Sequence, residues 1–204
     1  MGEGSEPGPA VRALASAWVR LLAPFIPYTC EALWESLGEK GPVAFAPWPV
    51  PDGKKIRPDV ELAEELLART AEDIESITKI LPVTPKEIQI LVAPEWKRSV
   101  FVTIAGSPDK RDVVREIMKD EGMRKRGKGA ADAVKQITSL IHRLPPDYRD
   151  GLLTQRPDEM AVFGAARDFF EREFHVAVKI LPAEKSGHPK ARLALPYKPA
   201  IVIE

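Results

Sequence analysis

The chain has 204 residues, with 30 Lys+Arg against 30 Asp+Glu, 44% hydrophobic residues, 20 prolines and one cysteine. At roughly 100 to 200 residues per domain, this length holds one large soluble domain or two modest ones, each able to bury a core. A lone Cys30 forms no intrachain disulfide, no run approaches the roughly 18 apolar residues of a membrane span, and Met1–Pro9 has neither the basic nor the apolar region of a secretory signal. A cytoplasmic protein without a membrane partner is therefore expected. The formal net charge of zero weighs at first against a nucleic-acid partner, since such proteins usually carry excess positive charge.

In chain order, Val11, Leu14, Trp18, Leu21 and Leu22 recur at helical spacing, and Cys30, Leu33, Trp34 and Leu37 repeat the pattern. Pro24 and Pro27 divide them into two helices, and Gly38 and Gly41 end the second. Trp18, Trp34 and Trp48 are expected to fill the helical core, with Cys30 as a buried thiol. The Pro-rich stretch 42–58 excludes helix. From Asp59 to Leu81 the residues Leu62, Leu66, Leu67, Ile74, Ile77 and Leu81 make one stripe of a third, acidic helix. Pro82 and Pro85 then mark a boundary, giving an all-α part over 1–84 and a second part over 85–204.

In the second part the period changes. Glu87–Ala93 has the β-branched composition of a strand, and Pro94–Ala105 suits either a helix or a strand, with helix preferred. Ser107 or Asp109 can cap a helix through Met118. A helix after Gly129 reaches Leu144 with Val134, Ile137, Ile141 and Leu144 on its apolar face. A further helix is expected over Pro157–Phe174, with strands at His175–Leu181 and Ala200–Glu204. The fold class is α+β, or α/β in its second part: a helical bundle piece followed by a small mixed domain whose sheet is covered by helices.

Charge separates the same two parts, since residues 1–84 carry a net −5 and residues 85–204 a net +5. The excess is concentrated: between Glu121 and Arg143 lie Arg124, Lys125, Arg126, Lys128, Lys135 and Arg143 against two acidic residues. Gly122, Gly127 and Lys128 fall on the spacing of a phosphate-binding P-loop, but position 129 is Gly where that motif needs Ser or Thr, and no strand precedes it. The remaining readings are an anion-facing basic cluster or a solvated helix face. His142, His175 and His188 have no partners at metal-ligand spacing, and no nucleophile motif is present.

The run Leu21–Leu37 (LLAPFIPYTCEALWESL), followed by a Pro-rich turn closing on Ala46-Pro47-Trp48-Pro49, resembles the end of the helical anticodon-binding domain of class Ia aminoacyl-tRNA synthetases. The order EIQILVAPEWK, then MRKRGKGAADAVKQ, then FFEREFHVAVKI and a tail with Pro-x-x-Pro-Ala-Ile is similar to the C-terminal domain of the archaeal and eukaryotic type of leucyl-tRNA synthetase. The resemblance runs from about Ala10 onward. It implies a fragment without cofactors of its own, whose parent is an ATP- and magnesium-dependent leucine-tRNA ligase. The family's His-x-Gly-His and Lys-Met-Ser-Lys-Ser motifs are missing here, so the fragment alone is expected to be inactive.

The partners so implied are leucine tRNA, through its long variable arm, and the remainder of the synthetase. Lys and Arg on phosphates would supply affinity, while unpaired bases at the tip of the arm would supply discrimination. The expected contact residues are Arg124, Lys125, Arg126, Lys128, Lys135 and Arg143, together with a tail surface of Lys190, Arg192, Tyr197, Lys198, Ile201 and Ile203. The alternative is a protein-interaction module without RNA contact, docking through the acidic helix and through Phe163, Phe170 and Phe174.

Overall fold

The structure is a computed structural model that describes residues 8–81, 85–107, 110–117 and 119–204. It divides into two compact units, Met1–Ile56 and Arg57–Glu204. Of the residues named above, Pro82, Asp109 and Met118 lie outside the described residues. The packing division falls earlier than the boundary expected at 84/85, because the acidic helix buries its stripe within the second unit.

The first unit pairs α1 (Pro9–Leu22) with α2 (Pro27–Ser36), each started by a proline whose missing N–H costs nothing in the first turn. Val19, Cys30, Trp34 and Val43 form its small core. Glu31 accepts a 3.0 Å hydrogen bond from the Val43 N–H, and the Arg20 guanidinium lies 5.9 Å from the Trp34 ring centroid while donating to the Pro47 carbonyl. The neighbouring face of α1 is open. Val11, Leu14 and Trp18 are more than half exposed, and Phe25, Tyr28, Phe45 and Trp48 are exposed as well. Of the three tryptophans expected in the core, only Trp34 is there; Trp18 and Trp48 stand in solvent, because two short helices can bury only the seam between them.

The second unit opens with α3 (Pro58–Ile80), which buries Leu62, Leu66, Thr70 and Ile74. Then follow β1 (Glu87–Val92), α4 (Glu95–Ala105), α5 (Lys110–Ile117), α6 (Glu121–Arg126), α7 (Lys128–Arg143), α8 (Pro146–Gln155), α9 (Glu159–Ala165), α10 (Arg167–Phe174), β2 (Ala177–Pro182) and β3 (Ala200–Ile203). Of the segment 94–105, residues Glu95–Ala105 adopt helix, the preferred of the two readings, with Pro94 extended at its N-cap. The helix expected over 157–174 is two helices broken at Ala166, whose φ of −94° and ψ of 6° leave the helical region. Pro145 and Pro146 follow directly on the end of α7 at Arg143, and residues 146–155, to which the sequence assigns no element, form α8 with Pro146 in its first turn.

The sheet has the order β2-β1-β3, with β1 parallel to β2 and antiparallel to β3. Strand alternation assigns its faces. Ile88, Ile90 and Val92 enter the main core with Phe101, Ile104, Ile137, Phe163 and Phe170. On the other face, Leu91 and Ala93 pack with Ala183, Ala194, Ala200 and Val202. Helices therefore cover one face, and the connection between β2 and β3 covers part of the other. The chain is α+β.

Candidate nucleic-acid interface

α7 has the most regular division between buried and exposed sides. Ala130, Ala133, Val134, Ile137, Leu140 and Ile141 are buried, while Lys128, Asp132, Lys135, Ser139 and Arg143 are exposed. The buried side packs on α4, so the basic side faces outward by default of amphipathicity. A turn at Gly127 joins α6 to α7. Its φ of 55° with ψ of −130° is open to glycine and strained for other residues. Residues 122–129 thus form helix, turn and helix, where a P-loop requires a strand running into a helix. Among the described residues no cluster of His, Cys, Asp and Glu could hold a metal ion.

The structure separates the six basic residues of this segment. Lys135 and Arg143 line an open groove of ≈ 500 Å³ together with Asp132, Ser139, Leu193 and Leu195. Arg143 is held by its own helix, its Nε 3.3 Å from the Ser139 carbonyl and its terminal nitrogen 3.1 Å from the Ser139 hydroxyl. On α6, Lys125 pairs with Glu121 at 2.8 Å, and the Arg126 guanidinium lies 4.7 Å from the Trp96 ring centroid on α4. Among the described residues Arg124, Lys128 and Lys135 have no carboxylate partner and remain exposed.

Groove and tail meet at Leu193 and Leu195. A second cavity, ≈ 270 Å³, shares Arg143 and Leu195 with the groove and is lined further by Arg69, Asp73, Tyr148 and Lys198. The tail is placed by Lys97, a residue 4% exposed, whose ammonium donates to the carbonyls of Arg192 at 2.8 Å and Ala194 at 2.6 Å. Burial lowers the Lys97 pKa. Glu159, fully buried, holds the same tail from the other side: its Oε2 accepts the Tyr197 N–H at 3.0 Å. Burial raises the Glu159 carboxyl to about 8, only partly offset by that hydrogen bond and by Arg98.

The tail surface expected from sequence is only half a surface. Lys190, Arg192 and Lys198 are exposed, with Lys198 3.4 Å from Asp73. Tyr197 is 5% exposed, with its ring edge-on to Phe101 at 5.2 Å, so it cannot serve as a stacking platform for a base. Positive φ at Tyr197 turns its side chain inward while the backbone makes the tight Leu195–Lys198 turn. Ile201 is buried and Ile203 half-buried, as β3 points them into the core. Phe163 and Phe170 are fully buried and Phe174 is half-buried, so they hold the domain together and offer no docking face. The sequence reading missed Lys97 and Arg69. Nothing local signals Lys97, whose partners lie 95 and 97 residues away, and Arg69 sits in a helix that looks acidic throughout.

Residues 5–90 match the model of the anticodon-binding domain of tRNA ligases. The chain is 39% identical over 195 residues to a leucine–tRNA ligase of Pyrococcus abyssi, and 37% identical to that of Pyrococcus furiosus, in each case over 95% of this chain and 19% of the relative. A leucine–tRNA ligase of Methanosarcina barkeri is 31% identical over 92% of this chain. The chain spans about a fifth of the length of these relatives. By sequence, residues 5–90 carry the anticodon-binding domain of tRNA ligases, and nearly the whole chain is similar to one segment of the much longer leucine–tRNA ligases.

Proposed function

We propose that this chain is a C-terminal, tRNA-binding portion of a leucyl-tRNA synthetase and that it docks leucine tRNA through the long variable arm, so supporting leucylation by the whole cytoplasmic enzyme. ATP and magnesium serve the parent at a site outside this chain. The observation that carries the reading is the groove along α7, where Lys135 and Arg143 face the tail that bears Arg192 and Lys198. Cations on an exposed helix face, without fixed carboxylate partners, suit the phosphate backbone of a protruding RNA stem, whose deep major groove hides its base edges. The open apolar face of α1 suits the rest of the synthetase, which would supply the missing wall of a helical bundle.

The test is the affinity of the purified chain for leucine tRNA and for a tRNA with a short variable arm, measured over a range of salt. The expected result is tighter binding of leucine tRNA, with log K falling against log[salt] by about 0.7 to 0.9 per phosphate contacted. Replacing Lys128, Lys135 and Arg143 by Gln together should flatten that slope. Equal affinity for both tRNAs, or binding indifferent to salt, would overturn the reading.

A further inference from the structure

The Leu195–Lys198 turn is held closed against the preference of its own backbone. Tyr197 has a φ of 59°, a left-handed conformation that a bulky residue keeps only where its surroundings impose it. Two reciprocal backbone hydrogen bonds of 3.0 Å join Leu195 and Lys198, and the Tyr197 N–H donates to Glu159 Oε2, also at 3.0 Å. The Glu159 side chain is fully buried, and its Oε1 has no partner among the described residues. Burial raises its pKa to about 8; the Tyr197 N–H and Arg98 act against that rise, while Asp158 and Glu95 add to it. Arg98 offsets little, because its guanidinium is already paired with Glu95 at 2.9 Å. Tyr148 of α8 is close enough for the Glu159 charge to act on it, and its ring carries the Arg69 guanidinium of α3, itself tied to Glu65. Among the other elements packed on α9, β2 keeps Lys179 paired with Glu87, and α10 keeps Glu171 paired with Arg167.

We propose that Glu159 is a proton-operated latch on the Leu195–Lys198 turn: the protonated carboxyl stays buried and keeps the turn shut, and loss of its proton is coupled to opening of the turn. The two events form one equilibrium, because a carboxylate regains its hydration only when the turn above it moves away. Lys97 keeps Arg192 and Ala194 in place just upstream, so the movement is confined to the turn. Opening withdraws Leu195 from the groove along α7 and separates Lys198 from Asp73. The protonation of one buried side chain thus sets the shape of a surface on the far side of the turn, whether or not that surface takes RNA. With a pKa of about 8 in the closed turn and 4.5 in water, the opening constant is flat below about pH 4.5. It rises about tenfold per pH unit from there to about pH 8 and levels off above.

The test is amide hydrogen exchange of the whole chain, followed residue by residue between about pH 5.5 and about pH 7.5 in wild type and Glu159→Gln. Base-catalysed exchange through an opening indifferent to pH rises about tenfold per pH unit; for Leu195, Tyr197 and Lys198 in wild type the expected rise is about a hundredfold per unit. These amides should also exchange at least about tenfold faster than that of Ile90, at the centre of the sheet, whose exposure requires the whole unit to open. Glu159→Gln cannot ionise, and its turn amides should return to the tenfold rise. Circular dichroism checks that the variant folds, and if it does not, the comparison of turn and sheet within wild type decides by itself. A tenfold rise at the turn of wild type overturns the latch. Exchange of the turn no faster than that of Ile90 overturns it as well, leaving Glu159 to act on the stability of the whole unit alone.

Discussion

Glu159 is the residue on which most depends. Its side chain is fully buried, one oxygen accepts the Tyr197 N–H, and neither the other oxygen nor the nearby Tyr148 and Tyr197 hydroxyls find a partner among the described residues. Burial also pushes both tyrosines up to about 12. A carboxyl held at about 8 when folded, against 4.5 ordinarily, binds its proton more tightly in the native state. The stability it contributes is therefore full below about pH 4.5 and is lost as pH rises through about 8. Urea midpoints of wild type should fall between pH 5 and pH 8.5, and Glu159→Gln, which keeps an acceptor for Tyr197, should remove most of that decline. An unchanged slope in the variant would place the pH dependence elsewhere. None of this was legible in the sequence; in the structure Glu159 is a first-turn acid directly after Asp158, whose side chain caps α9.

At the scale of elements, periodicity carried the helices with a clear apolar stripe, α3 and α7, and the alternating strands β1, β2 and β3. It failed where prolines and glycines do two things. Pro146 follows the end of α7 and is also the first residue of α8; of Gly122, Gly127 and Gly129, whose spacing suggests a P-loop, only Gly127 has a positive φ and turns the chain. Gly127→Ala should cost about 1 to 3 kcal/mol through backbone strain, measured by denaturation, with no steric contact to blame since the space around it is open. The tail shows the second limit. Its conformation is set by Lys97, from a helix far away in sequence, so composition near Lys190 and Tyr197 could not say which side chains face outward. Lys97→Met leaves two carbonyls without their donor, a cost of about 1 to 3 kcal/mol for each that stays buried. Amide hydrogen exchange should then rise across 189–198 and not in β1; uniform exchange over the whole unit would mean that Lys97 supports the core instead.

Over the whole molecule, the zero net charge divides into an acidic helical part and a basic mixed part, and α3 shows why the division is not one of packing. It carries much of the acid of the first part, yet buries Leu66 and Ile74 in the core of the second unit. The exposed apolar face of α1 makes a separate prediction: the isolated chain should self-associate, and Trp18→Lys with Leu14→Lys should shift it towards monomer in light scattering. The candidate site was legible in outline, as a basic stretch followed by a basic tail, because exposed cations on a helix face announce themselves by spacing. Its concavity was not, since the groove and cavity arise from Arg69, Arg143 and Lys198 meeting across three segments. The most direct measurement is footprinting of this chain on leucine tRNA. Protection concentrated on the long variable arm, and lost with the Lys128, Lys135 and Arg143 replacements, is the predicted result; protection of the acceptor stem alone would contradict it.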